Sequence, residues 1–371
     1  MEKQTKIFIL GAGCSANCGY PLGSGFAIEL QAFLQQIPPG CPTIEHTVKE
    51  TIKVLATLPN VETLDQFAQQ IELNFNNWSR ERSGGSGFVP PEYHKKRQIA
   101  DTQILDAKIA TYAMFLAKEC DARKTRLISY KNLITEIFGG EPWQAALLKT
   151  NCHVFTFNYD QLFEIAFLES FKNYNPSDPD YFLYGQEVLN SGFNPYAGEC
   201  ASVNITAGRF CFLKLHGSAG WWVRREQHNN EGRRYFPFVP KQARNLIEIE
   251  KSIPKQLDAF FGCEPLMAFP DERHFSRQFY KVRGQSSGYL WAPYIDAIWE
   301  HAANLVANAA EIKVIGYSFN PIDSRYMIDE LLNKATCPKI VIQNKDVKNV
   351  ERNLAHYSQF SERLDFDSTP F

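Results

Sequence analysis

The sequence predicts an α/β fold: a parallel sheet with helices on both faces, opened by a large helical insertion. Two observations predict it. Short apolar runs alternate with helical patterns along the chain, which is the signature of repeated βα units. Each run also stops in a small group of glycine or polar residues: Gly11-Ala12-Gly13, Asn158-Tyr159-Asp160, His216-Gly217-Ser218, Gly316-Tyr317-Ser318 and Asn344. In a parallel sheet the strand ends share one edge, where ligands bind. These groups are therefore expected to converge.

The first run, Lys6-Ile7-Phe8-Ile9-Leu10, reads as a short buried strand that enters the turn Gly11-Ala12-Gly13-Cys14-Ser15; a helix is expected from about Gly23 to Leu34. Such a unit traps phosphate, because glycine lets the backbone approach and a helix start presents N–H groups and partial positive charge. The spacing is not G-x-G-x-x-G, since the third glycine, Gly19, comes late. Gly19-Tyr20-Pro21 is expected to break the helix before it begins. On its own the turn is either a ligand loop or a plain tight connection.

After the break at Ile37-Pro38-Pro39-Gly40, residues 41–148 carry helical signals and no strand pattern. Thr63 to Trp78 places Leu64, Phe67, Ile71 and Phe75 on one stripe, and Asp101 to Cys120 does the same with Ile104, Leu105, Ile109, Tyr112, Phe115 and Leu116. A third helix is expected over Thr125 to Phe138, and 83–91 reads as a flexible loop. Strand character returns at 152–157, 209–215, 312–315 and 340–342, with helices expected after Asp160, over 289–308 and over 323–334. Residues 170–208 and 217–288 read as loop-rich excursions. The whole is a Rossmann-like architecture in one domain, 1–371.

Composition narrows the function. Hydrophobic residues at 44% and aromatics at 13% indicate an ordered globule. A net charge of −2 gives no footprint for nucleic acid and no attraction to an anionic membrane. With no apolar run of membrane-span length and no signal peptide at Met1-Glu2-Lys3-Gln4, a cytoplasmic location is expected. The 9 cysteines are scattered and form no C-x-x-C pair, which argues against a disulfide framework or a structural zinc site; no metal is expected.

Taken together, the motifs resemble the sirtuin-like superfamily. Its G-A-G-x-S-x-x-x-G-x-P motif matches Gly11, Ala12, Gly13, Ser15, Gly19 and Pro21; its T-x-N-x-D motif matches Thr156, Asn158 and Asp160; its H-G-S motif matches His216, Gly217 and Ser218; and its later G-x-S matches Gly316 and Ser318. The chain departs from the deacylases, which carry Asp-Phe-Arg where this chain has Leu22-Gly23-Ser24, and which insert a four-cysteine zinc ribbon where Ala219 to Gly262 has no cysteine. Gly316-Tyr317-Ser318 with Asp323 resembles instead the sirtuin-like NAD-hydrolysing effectors of bacterial antiviral defence. The resemblance implies NAD+ as substrate, cleavage to nicotinamide and ADP-ribose, and NAD+ depletion during infection. It also implies control by homo-oligomerisation or by a protein partner such as a HerA-type ATPase.

The resemblance makes Asn158 and His216 the catalytic pair, with Asp160 orienting the site or stabilising positive charge. Gly11, Ala12, Gly13 and Ser15 would cradle the pyrophosphate, Gly316 and Ser318 would contact phosphate or ribose, and Asn344 would reach the adenosine. Each has a plainer role beside it: Asn158 and Asp160 as helix caps, Ser318 bonded to its own loop, and Trp221-Trp222 as either a nicotinamide wall or a core pair. Rival functions are an NAD+ or ADP-ribose sensor without turnover, a protein deacylase, and an ADP-ribose transferase. Asn158→Ala and His216→Ala are expected to abolish turnover and leave the fold intact, since both residues sit at loop starts rather than in the core.

Overall fold

The computed structural model describes residues 5–20, 25–58, 61, 63–83, 91–122, 127–148, 151–171, 173, 210–224, 244–255, 257, 263–269, 292–319, 321–337, 339–355, 357 and 362–371. Its strands are β1 (Lys6–Leu10), β2 (Cys152–Thr156), β3 (Phe212–Lys214), β4 (Gly217–Arg224), β5 (Cys263–Met267), β6 (Glu311–Ile315), β7 (Ile340–Gln343) and β8 (Leu364–Asp367). Six of them form one sheet in the order β3-β2-β1-β6-β7-β8, and every neighbouring pair is parallel. β4 and β5 pair antiparallel in a separate two-stranded sheet.

Successive strand side chains point to opposite faces, and in β1 all of Ile7, Phe8, Ile9 and Leu10 are buried. Both faces are therefore covered, as a parallel sheet requires. Helices follow the strands along the chain. α1 (Gly13–Ala16) and α2 (Phe26–Leu34) come after β1; α3 (Pro42–Leu55), α4 (Leu64–Ser83), α5 (Tyr93–Ala122), α6 (Ile128–Phe138) and α7 (Trp143–Leu147) lie between α2 and β2. α8 (Leu162–Ser170), α9 (Leu246–Ser252), α10 (Ala292–Ala307), α11 (Pro321–Tyr326) and α12 (Val347–Leu354) complete the set. The architecture is Rossmann-like, as the sequence predicts.

The described residues form two apolar cores. One surrounds the sheet; the other joins α2 through α5 with Trp222, Ile249 and Phe269. The stripe residues Leu64, Phe67, Ile71, Phe75, Ile104, Ile109 and Tyr112 all lie in the second. A bidentate pair, Arg97 to Glu72 at 2.7 and 2.6 Å, ties α5 to α4 beneath it.

The structure departs from the sequence reading in five places. One helical turn, α1, forms directly after Gly11-Ala12, and Gly19 at φ +83° follows it; the glycine ends a helix that has already begun. α5 starts at Tyr93, well before Asp101; its first turns meet α4 through Tyr93 on Phe75 and Arg97 on Glu72, contacts that make no apolar stripe. β4, α9 and β5 lie in the 217–288 stretch read as loop. β4 lacks alternation because both its faces are buried from Gly217 to Trp222. β8 is an edge strand whose sequence, Leu-Asp-Phe-Asp, is too polar to announce itself. The helix expected over 323–334 is α11 followed by a π turn at Met327–Leu331 and a 3-10 turn at Leu332–Lys334. Residues 84–90, and 174–208 of the first excursion, lie outside the described residues.

Candidate functional site

The strand order turns back between β1 and β6, so the crevice beyond their carboxyl ends is the topological switch point where α/β sheets bind ligands. Here the β1 and β6 loops pack backbone to backbone. Gly13 donates its N–H to the Gly316 carbonyl at 2.8 Å, and Gly11 donates to Ile315 at 2.9 Å. A Cβ on Gly11 would lie 2.6 Å from the Tyr317 Cα, and one on Gly13 would lie 2.7 Å from the Gly316 oxygen. Gly316 itself is left-handed at φ +64°, with its missing Cβ 2.5 Å from the Cys14 nitrogen. Glycine is needed at all three because two backbones touch. Ala12 stands exposed at the tip of the first loop.

Ser15 sits at the centre of a buried hydrogen-bond cluster. Its single hydroxyl proton goes to Asp160 Oδ2 at 2.6 Å, and it accepts from Asn158 Nδ2 at 3.1 Å. The Tyr130 hydroxyl, 2.9 Å away, must then be a donor, since Ser15 has one proton and two lone pairs. Burial raises the Tyr130 pKa well above its ordinary value, which keeps that proton in place. Asn158 donates its other amide hydrogen to the Gly11 carbonyl at 3.0 Å. Helix α8 begins only at Leu162, so Asn158 bonds across to the first loop instead of capping a helix. Asp160 does both: Oδ2 takes Ser15, and Oδ1 takes the Leu162 N–H at 3.0 Å.

His216 follows β3, which is held beside β2 by the Leu215 N–H bond to the Thr156 carbonyl at 2.8 Å. Its ring stacks on Trp299 at 6.2 Å and meets the Phe157 edge at 5.1 Å and Tyr159 at 6.1 Å. Phe157 in turn lies 4.9 Å from Tyr317. One aromatic ring thus separates His216 from the β6 loop, and His216 is joined to the Asn158 segment through both its neighbours in the chain. Trp221 and Trp222 are core: Trp221 lies in the sheet core and Trp222 meets Tyr112 at 5.0 Å. The stacking partner of His216 is Trp299, far along the chain on α10, which nothing local in the sequence marks.

Farther along the rim, Asn344 donates to the Tyr317 carbonyl at 2.9 Å and accepts the Asp346 N–H at 2.9 Å, bracing the β6 loop. Ser318 is exposed, and its carbonyl accepts from Asn353. Phe319, buried, holds φ +52°, a strained conformation for a side chain of that size. Gly11, Gly13, Ser15, Asn158, Asp160 and Gly316 form one connected assembly, with His216 attached through rings and Ser318 and Asn344 outside it. Asn158 and His216 are 8% and 5% exposed, so both belong to the buried interior rather than to open loop starts.

Beneath the assembly lies a charged layer that sequence reading passes over. Lys214, fully buried, donates to the Asp160 carbonyl and to Glu164 Oε1 at 3.0 Å. Glu119 Oε1, on α5, accepts the Gln161 N–H at 2.8 Å. Burial raises both carboxyls, Glu119 to about 8. The signal was present: a lysine inside Phe-Cys-Phe-Leu-Lys-Leu and a glutamate within an apolar helical stripe both demand buried partners. Among the described residues no group of three or more His, Cys, Asp or Glu is placed to hold a metal, and no helix is long and apolar enough to cross a membrane.

No curated protein matches the chain. Among solved structures, a Sir2 homologue in complex with NAD is 14% identical, with 100% of this chain and 85% of that one covered and a TM-score of 0.39. A Sir2 complex with a p53 peptide and NAD+ is 13% identical, with 100% and 89% covered and a TM-score of 0.38. The family model of a SIR2-like domain matches residues 152–269. Over that segment, which carries Asn158, Asp160 and His216, the chain is similar to SIR2-like domains.

Proposed function

We propose that the protein is an NAD+ glycohydrolase that releases nicotinamide and ADP-ribose. One observation carries the reading: the Ser15–Asn158–Asp160 cluster joins the loops after β1 and β2, next to the β1–β6 switch point, with the His216 ring against Phe157. The SIR2-like match over the segment that holds three of these residues supports it.

The chemistry asks little of a general acid. The bond between ribose carbon and nicotinamide nitrogen breaks, its electron pair goes to the nitrogen, and the cationic ring leaves neutral. Water then forms the new carbon–oxygen bond and loses a proton. With both amide hydrogens of Asn158 held by Gly11 and Ser15, its Oδ1 is the acceptor that orients a water or a ribose hydroxyl. His216, its ring fixed by Trp299 and Phe157, takes the proton. The Asp160 charge favours the developing cation. Ala12, at the tip of the first loop, faces the pyrophosphate, and the β6 loop at Gly316 and Ser318 with Asn344 receives the adenosine side.

Deacylation is the weaker reading because Ala219 to Gly262 has no cysteine, where a zinc ribbon would need four. Product analysis separates the two. Full-length protein incubated with NAD+ is expected to yield nicotinamide and ADP-ribose in equal amounts with no peptide present. Release only when an acyl-lysine peptide is added would overturn hydrolysis in favour of deacylation. The biological role proposed with it is NAD+ depletion in antiphage defence, restrained by self-assembly or by a HerA-type ATPase.

A further inference from the structure

We infer that Glu119, near the end of α5, is a positioning residue for the proposed site: its carboxyl holds the turn that presents Asn158 and Asp160 to Ser15. The inference rests on the hydrolase reading and adds to it a residue that touches neither substrate nor reacting atoms.

Glu119 is 1% exposed, and its Oε1 accepts the N–H of Gln161, three residues beyond Asn158. Gln161 immediately precedes α8, and the N–H groups at a helix start have no partner within the helix. This one is buried, so without Glu119 it would be an orphan donor. The next N–H, from Leu162, is taken by Asp160. Glu119 and Asp160 thus take consecutive amides of one turn, and Asp160 is bonded to Ser15 as well.

The groups around Glu119 explain why its proton matters. Asp160 and Glu164 face it from the β2–α8 segment, Lys214 from β3, Tyr20 from the stretch after α1, and Tyr112 from α5 itself. Lys214 already serves the Asp160 carbonyl and Glu164. Ionising Glu119 would add a third carboxylate to a dry pocket beside one ammonium. Burial, opposed by the Gln161 N–H, accordingly lifts Glu119 to about 8. Below that pH the neutral carbonyl oxygen holds Gln161; above it the carboxylate accepts that N–H more strongly but faces Asp160 and Glu164, and on this proposal the repulsion outweighs the bond and loosens the turn.

The test uses full-length wild type, Glu119→Gln and Glu119→Leu. Glutamine keeps the acceptor oxygen and has no proton to lose; leucine keeps bulk and has no acceptor. Amide exchange over residues 157–163, corrected for intrinsic rate, and nicotinamide release are measured from about pH 6.5 to about pH 9. Wild-type protection of Gln161 and Leu162 is expected to fall about tenfold across that range, to stay level in Glu119→Gln, and to be low throughout in Glu119→Leu. The kcat should follow protection while KM changes less than about twofold. A wild-type slope retained by Glu119→Gln, a fully protected Glu119→Leu, or a kcat that ignores protection would each overturn the inference. Wild type that releases no nicotinamide would instead overturn the hydrolase reading, and the exchange data would still decide the part played by Glu119.

Discussion

At the scale of single residues, Ser15 has no spare capacity: one proton to Asp160, two lone pairs filled by Asn158 and Tyr130. Ser15→Ala leaves all three partners unsatisfied in a buried place, and should cost about 2–4 kcal/mol, read from the denaturation midpoint. The cost belongs to the orphaned groups, so it should exceed that of Asn158→Ala, which empties one Ser15 lone pair and leaves the Gly11 carbonyl with the Cys14 N–H as its remaining donor. Asn158→Ala therefore weakens the fold as well as turnover, by about 1–2 kcal/mol.

Gly316 and Gly139 offer a matched pair at the same scale, because both hold φ +64°. A Cβ at Gly139 meets nothing within 4 Å, whereas at Gly316 it would lie 2.5 Å from the Cys14 nitrogen. Alanine at Gly139 should cost about 1 kcal/mol, the price of a left-handed side chain. Alanine at Gly316 should cost at least about 2 kcal/mol more, since the β1 and β6 loops must separate. Equal losses in the two variants would show that the loops do not press together.

At the scale of elements, β3 and α10 carry a titrating contact away from the site. His301 on α10 reaches the Cys211 sulfur at 3.7 Å, just before β3, and burial, aided by His153, lowers it from 6.5 to about 4. The folded protein favours the neutral ring. Its contribution is intact above pH 6.5 and is lost as pH falls through about 4. Wild type should lose more of its Tm than His301→Gln between those limits; parallel Tm curves would refute the contact's role.

Elements were legible where burial follows a period. The Ile7–Leu10 run of β1 is a continuous apolar stretch because both faces are covered, β6 alternates buried Ile312 and Val314 with half-buried Glu311 and Lys313, and the α4 and α5 stripes read clearly because one face packs. The elements that escaped are those whose pattern tertiary context overrides. β4 is buried yet rich in glycine and serine, and β8 is polar because it lies at the sheet edge. α1 is only one turn long, held by the Gly316 turn rather than by its own propensity.

At the scale of the molecule, separated chain segments meet on one rim because parallel strands send all their carboxyl ends to the same edge. That logic, read from strand ends alone, brings the glycine turn, Asn158, Asp160 and Gly316 into one bonded assembly. Trp299 and Tyr130 were not legible, because each arrives from a distant helix and contributes through a contact that no local pattern encodes; Glu119 was marked as needing a buried partner, but nothing local named Gln161 as that partner. The glycine turn also carries a meaning the sequence leaves open: its glycines admit the β6 backbone as well as leaving Ala12 at the surface.

The most direct test of the account is the rate of nicotinamide release by wild type, Asn158→Ala and His216→Ala, with ADP-ribose binding measured on the same samples. Both variants should turn over at least about a hundredfold more slowly and still bind ADP-ribose, because the amide and imidazole act on the bond that breaks while the glycine turn and β6 loop hold the product. Either variant matching wild-type turnover would contradict it.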